Sequence, residues 1–246
     1  MTASSLPLTG ARRATALAAV VAAFVALPGT ARTQGPSVLT PTPMVLDFEP
    51  LSTAAGCDDN DIVGYGGLAW SGFGAMDKVE CGAAEVGGPK NGYWFGATSG
   101  TNTGYIQLPR FSDPFGALGA TISYSDTFDL LDAWLSSAWT TNLRVTVTGF
   151  NGTTLVGTRS FMLDYTAPQH AEFNLFGITS ARFLAYDGVV RYELGGIGNI
   201  MVLDDLSVVK YVPTVVPEPA GVLLVASGLA LVGLAARRRR HPAQSS

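Results

Sequence analysis

Histidine is almost missing from this chain: two residues among 246, His170 and His241. A Ser/His or Cys/His nucleophilic pair therefore has one candidate base in the central part of the chain. That residue, His170, follows Pro168-Gln169 in a predicted loop and is expected to be an ordinary surface histidine. The G-x-S-x-G elbow, the G-x-x-x-x-G-K phosphate loop and H-E-x-x-H are all absent, so no catalytic signature points to an enzyme. Cysteine is equally scarce, with Cys57 and Cys81 alone. No third cysteine and no nearby histidine completes a zinc site, and the pair is expected to form a disulfide in an oxidising compartment. Charge is thin at 14%, and basic residues are the scarcer sign in the body. Residues 36–212 hold eighteen acidic and eight basic side chains, a net charge near −10 that the whole-chain value of −4 conceals. Such a body argues against a nucleic-acid partner, because phosphates require a basic face.

Helical periodicity is also nearly absent between residues 36 and 212. In its place stand short β-rich runs separated by Gly, Pro, Asn and Asp, the pattern of an all-β antiparallel sandwich of single-domain size. Predicted strands cover 44–49, 67–73, 93–97, 105–108, 117–124, 133–138, 143–150, 154–161, 172–175, 181–186 and 200–209. Leu143, Val145 and Val147 alternate with Arg144, Thr146 and Thr148, and Asn151-Gly152 follows as a strong hairpin signal. Residues 126–137 fit either a strand or a short helix, and their neighbours favour the strand. Gly64-Tyr65-Gly66-Gly67 and Gly195-Gly196-Ile197-Gly198 lack a strand-turn-helix context, so they read as loops needing positive φ.

Two groups of acidic residues raise the question of a cation. Cys57-Asp58-Asp59-Asn60-Asp61 is dense in oxygen ligands but matches no EF-hand spacing, and a solvated turn explains it. Asp47-Phe48-Glu49 on the first predicted strand and Asp204-Asp205 on the last would converge if the terminal strands lie side by side, where a bound cation would relieve their repulsion. The opening Asp-Phe-Glu and the closing Val202-Leu203-Asp204-Asp205-Leu206 resemble those of the jelly-roll, galactose-binding-like carbohydrate-binding modules. The resemblance implies a structural calcium held by Glu49 and Asp204 or Asp205. For a sugar the candidates are Trp70, Tyr93 and Trp94, whose faces suit pyranose rings, against the alternative that they fill the core.

The two ends are apolar. Arg12-Arg13, an apolar stretch over 14–27 and small residues Gly29 and Ala31 read as a signal peptide, residues 1–31. A Pro-rich linker follows the body over 213–219, then an uncharged apolar span over 220–236 and a basic tail over 237–246. As a helix the span would rise about 25 Å, slightly short of a bilayer's hydrocarbon core. Arg237, Arg238, Arg239 and Arg240 would stay cytoplasmic, which places the body outside, in agreement with the signal peptide. Pro217-Glu218-Pro219, the single span and the arginine cluster, in that order, resemble the PEP-CTERM sorting domain. That resemblance implies a Gram-negative exporter and a transient inner-membrane stage. It further implies processing near the tripeptide by an exosortase and delivery to the cell surface or an exopolysaccharide matrix. An ordinary membrane anchor is the competing reading of the tail.

Together these features lead to an exported, non-enzymatic β-sandwich with a structural or carbohydrate-binding role in that matrix. The alternative is an exported hydrolase acting on polysaccharide, since two carboxylates across a cleft suffice for glycoside hydrolysis and sequence singles out no pair.

Overall fold

The computed structural model describes residues 37–51, 53, 57, 60–83, 88–108, 116–215 and 219–238. The signal segment 1–31 lies outside them, as do Asp58, Asp59, Pro217, Glu218, Arg239 and Arg240. Residues 37–214 make one compact unit, and the C-terminal helix belongs to another. In chain order the elements are β1 (Ser37–Leu46), β2 (Ala69–Ser71), β3 (Phe73–Asp77), α1 (Lys78–Cys81), α2 (Gly92–Gly96), β4 (Asn102–Ile106) and β5 (Leu118–Ser137). There follow β6 (Thr140–Thr141), β7 (Leu143–Asn151), β8 (Thr154–Leu163), β9 (Gln169–Tyr186), β10 (Val189–Val190), β11 (Met201–Val215) and α3 (Pro219–Arg238).

The alternation read from the sequence is realised in β7: Leu143, Val145 and Val147 are fully buried, and Arg144 is exposed. Its hairpin to β8 turns at Gly152, which takes φ 58°. The two glycine-rich loops adopt positive φ at Gly64, Gly66, Gly67, Gly195 and Gly198, as expected of loops. Residues 126–137 are strand.

Two strands outrun the prediction. β5 has 20 residues and β9 has 18, about 60 Å of chain each, several times a usual strand. They pair with each other along their length but lose register between Ser123 and Asp132, where both bend. Before the bend, β5 lies between β2 and β9, and β9 continues to β7 and β8. After it, β5 lies between β9 and β11, and β11 continues to β4 and β3. Each half of the two strands thus belongs to a different layer, β3-β4-β11-β5-β9 or β2-β5-β9-β7-β8. The layers face each other through aromatic rings: Phe73 of β3 meets Phe183 of β9 at 5.4 Å, and Phe161 of β8 meets Phe173 of β9 at 5.7 Å. Asp129 holds the bend. It is 8% exposed, and its Oδ1 accepts from the Gly177 N–H at 2.7 Å while Oδ2 accepts from the Tyr211 hydroxyl at 2.7 Å.

Several boundaries need correction. The predicted strand 67–73 is broken by Gly72, at φ 74°, which sends β2 into one layer and β3 into the other. The predicted pairs of strands 117–124 with 133–138 and 172–175 with 181–186 are single bent strands. The predicted strand 93–97 is helix α2. There Asn91 Oδ1 caps the Tyr93 and Trp94 N–H groups, so a polar cap outweighs an aromatic run of high β-propensity.

Candidate functional site

The Asp-Phe-Glu motif and the Asp204-Asp205 pair do come together, on the loop 98–102 that leads into β4. Asp204 projects from β11 and is fully buried. Its Oδ2 accepts from Thr98 N at 2.7 Å and Ser99 N at 2.8 Å, and its Oδ1 accepts from Asp205 N at 2.8 Å. The Thr98 hydroxyl adds bonds of 3.1 Å to both Asp204 Oδ2 and Asp205 Oδ2. Glu49 Oε1 accepts from Thr101 N and Asn102 N, both at 2.7 Å. Lys78 Nζ donates to Gly100 O at 2.6 Å, so three carboxylates and one ammonium hold residues 98–102. Asp205 takes φ 50°, at the bulge that shifts the β11 register. Burial raises the Asp204 carboxyl from its ordinary 3.8 to about 6; the N–H groups of Ser99 and Asp205 pull the other way without prevailing.

This donor set does not fit a calcium ion. Calcium takes six to eight oxygens around one point, whereas here N–H and O–H donors meet the carboxylate oxygens. Among the described residues no group of three or more His, Cys, Asp or Glu is placed to share a cation. Glu49, Asp204 and Asp205 are loop-holding residues. Asp47 and Phe48 complete the motif. Asp47 Oδ1 accepts from the Tyr65 hydroxyl at 3.1 Å, and that hydroxyl accepts from Phe48 N at 3.1 Å. Phe48 sits at φ 61° and is fully buried, between the rings of Tyr65 at 5.6 Å and Trp70 at 6.0 Å. Burial, aided by Asp47, pushes the Tyr65 phenol up to about 12.

The three aromatic candidates part company. Tyr93 is 2% exposed and packs edge-on between Tyr105 at 5.7 Å and Trp139 at 5.3 Å, so it is core and offers no platform. Trp94 is half-buried on α2, not on the outward face of a strand, and Lys90 Nζ lies 3.6 Å from its ring centroid. Trp70 is half-buried with Nε1 donating to Tyr65 O at 2.9 Å, and it forms one wall of an open groove of about 660 Å³. Tyr124, which the sequence did not single out, forms another wall. Ser123 and Ser125 bring hydroxyls, and Leu68 with Ile62 closes the floor. Lys210 Nζ stands 5.4 Å from the Tyr124 ring centroid and donates to Gly66 O at 2.6 Å, which pins the glycine-rich turn beneath the groove.

Two further groups were missed. His170 lies on β9 and not in the predicted loop; its ring meets that of its cross-strand neighbour Trp134 at 5.1 Å and a tilt of 59°, and Asp132 Oδ1 bonds His170 Nε2 at 3.2 Å and the Ser207 hydroxyl at 3.0 Å. The carboxylate stands between serine and histidine, so the arrangement is not a nucleophilic triad, in which the histidine bridges the other two. Asn102 ties the loop to the first strand's exit by donating to the carbonyls of Phe48, Glu49 and Leu51.

Cys57 and Cys81 are bridged, with Cα atoms 5.5 Å apart, a link that belongs to proteins of oxidising compartments. α3 covers the predicted apolar span, and its Val225, Leu229, Leu231, Val232 and Leu234 are exposed. Among the described residues no helix is long and apolar enough to cross a membrane.

No protein-family model and no curated protein matches the chain. Among solved structures it is similar to TmCBM61 in complex with β-1,4-galactotriose, at 9% identity and TM-score 0.32 over 61% of this chain and 98% of that one. It is similar to the K2 cleaved adhesin domain of Lys-gingipain, at 11% identity and TM-score 0.39 over 69% and 99%. It is also similar to the enzymatically active domain of the bacteriophage CBA120 tailspike protein 4, at 9% and 0.32 over 59% and 19%. At this level of superposition the likenesses assign neither a family nor a ligand.

Proposed function

We propose that this chain is an exported, non-catalytic β-sandwich that binds carbohydrate in an extracellular matrix. The groove between Trp70 and Tyr124 carries the reading. Two aromatic walls, serine hydroxyls at the rim and a glycine-rich turn make an open, mainly apolar cleft, of the size and chemistry that suit one or two pyranose rings. Trp70 has already committed its indole N–H to Tyr65, so it acts through ring surface, and polar specificity falls to Ser123, Ser125 and backbone groups. The C-terminal segment is, in this reading, a sorting label processed by an exosortase after a membrane stage. The disulfide and the predicted signal peptide agree with export.

The test uses the full chain purified in detergent and run in affinity gels containing neutral galactan or dextran. Retardation by a neutral glycan is expected, weakened about tenfold by Tyr124→Ala, with a cooperative melting transition of the variant establishing that it folds. No retardation by any neutral glycan would reject the groove. Release of new reducing ends, abolished by substituting a carboxylate, would replace this reading with that of an exported hydrolase. The C-terminal mass of the protein from cells with and without the processing enzyme tests the label; identical masses ending at Ser246 would leave an ordinary anchor.

A further inference from the structure

The pairing registers define a surface that the sequence conceals. On the outer face of the β2-β5-β9-β7-β8 layer, one row of facing residues runs Ser71, Thr121, Arg182, Thr148 and Thr158. A parallel row carries Thr146 opposite Ser160, joined by a 3.4 Å hydroxyl contact. Beyond it Arg144 lies exposed at the position facing Tyr186. None of the outward side chains on the half-strands that form this layer is acidic; the exposed Asp126 of β5 and Glu172 of β9 lie outside it, and residues 36–212 as a whole carry eighteen carboxylates against eight basic groups. Neither Arg144 nor Arg182 is ion-paired with a described residue. Arg182 leans toward the bare backbone of Gly119, its guanidinium 4.0 Å from where a Cβ would stand. In plan the two arginines lie about 14 Å apart, from the spacings of residues and strands.

From this segregation of charge we infer that the outer face of this layer docks an extended polysaccharide bearing carboxylates. Hydroxyl rows at strand spacing offer donors and acceptors to sugar hydroxyls. Two guanidinium groups without an ion pair among the described residues supply planar, bidentate partners for carboxylates. A neutral glycan would leave both arginines unused, and the excess of carboxylates over basic groups elsewhere in the domain disfavours an anionic chain there. The rows share no residue with the lining of the Trp70–Tyr124 groove, whose Ala69 and Ser123 lie two residues from Ser71 and Thr121, and the variants below tell the two adjoining surfaces apart.

The experiment compares the full chain in detergent on affinity gels of polygalacturonate and of neutral galactan, at low and at high salt. Retardation by polygalacturonate is expected, falling steeply as salt rises. Arg144→Glu/Arg182→Glu should weaken it about tenfold or more; Arg144→Lys/Arg182→Lys, which keeps the charge and loses the bidentate geometry, should weaken it less, and Tyr124→Ala should leave it unchanged. Melting temperatures of both double variants establish that they fold, and a misfolded glutamate pair would be replaced by Arg144→Gln/Arg182→Gln. The inference is overturned if polygalacturonate does not retard the chain, if binding ignores salt, or if the glutamate pair binds as the parent does. It is also overturned if sedimentation shows that the glutamate pair abolishes a dimer and leaves glycan binding intact, since the face would then serve a second copy.

Discussion

Replacing Asp204 with asparagine should change stability in opposite senses at two ends of a modest pH range. In the folded protein the Asp204 carboxyl is raised from 3.8 to about 6 by burial. The folded state therefore holds the proton more tightly than the unfolded chain does. Its stabilising contribution is complete below pH 4 and is lost as pH climbs through about 6. Two units at 1.36 kcal/mol each amount to a loss of about 3 kcal/mol between pH 4 and pH 7 from this one group. Asparagine cannot titrate, so the variant lacks this slope. It also cannot satisfy the site fully, because Oδ2 faces the N–H groups of Thr98 and Ser99 while Oδ1 faces that of Asp205. Its less costly orientation turns the amide nitrogen toward Asp205 and abandons one buried bond, a cost of about 2 kcal/mol. Against a protonated aspartic acid, which keeps an acceptor on both oxygens, the variant should be less stable by about that amount at pH 4. Against the ionised wild type at pH 7 it should be equal or slightly more stable. Urea unfolding of both proteins at pH 4, 5, 6 and 7 measures the difference, in which the titration of all other groups cancels. A variant that loses more at pH 7 than at pH 4 would refute the reasoning, for it would mean that the backbone donors outweigh burial and lower the carboxyl below its ordinary value.

Asn91→Ala removes the cap of α2, whose Oδ1 serves Tyr93 and Trp94 N–H and whose Nδ2 donates to Cys81 O at 2.8 Å, all at a fully buried residue. The urea midpoint should fall by the equivalent of about 2–4 kcal/mol, and Asn91→Asp should also be destabilising, because it keeps the cap acceptor but sets a second oxygen against Cys81 O. Cys57→Ser/Cys81→Ser opens a link spanning 24 residues and should lower stability by about 3 kcal/mol, while mass spectrometry of exported wild type should find no free thiol. EDTA should leave the melting temperature unchanged; a drop that calcium restores would show that the loop 98–102 rearranges to expose its carboxylates to a cation.

What the sequence made legible was the local pattern, and what it hid was the consequence of chain path. β7 could be read because Leu143, Val145 and Val147 meet one core while their neighbours meet solvent throughout the strand. β5 and β9 could not be read as single strands. Their apolar alternation breaks at the bend, where Asp129 is consumed by Gly177 and Tyr211, and a break inside a bent strand looks the same in sequence as a break between two strands. α2 was hidden by its aromatic residues, although Asn91-Gly92 ahead of them was a helix-start signal. Gly92 and Gly96 let the helix lie directly on the sheet, because a Cβ at either would fall into Ser137 O or Ser136 Oγ.

The carboxylates show where residue chemistry alone stops being informative. Their convergence was legible: a motif in the first strand's exit and a motif in the last strand do meet. Their partner was not, because the partner is a row of backbone N–H groups from residues 98–102, and every residue but proline offers that donor. A carboxylate pair aimed at peptide N–H groups and one aimed at a cation are written with the same letters, and only the direction of the intervening loop separates them. The outer face of the β2-β5-β9-β7-β8 layer poses the same problem in reverse. Ser71, Thr121, Thr148, Thr158 and Arg182 look like scattered polar positions on five strands until register aligns them in one row. A threonine on an exposed strand follows from β-propensity, but propensity does not choose charge, so it leaves the exclusion of acidic residues from that face unexplained. An anionic ligand accounts for that exclusion, since a single carboxylate beside Arg144 or Arg182 would neutralise the group on which its binding depends.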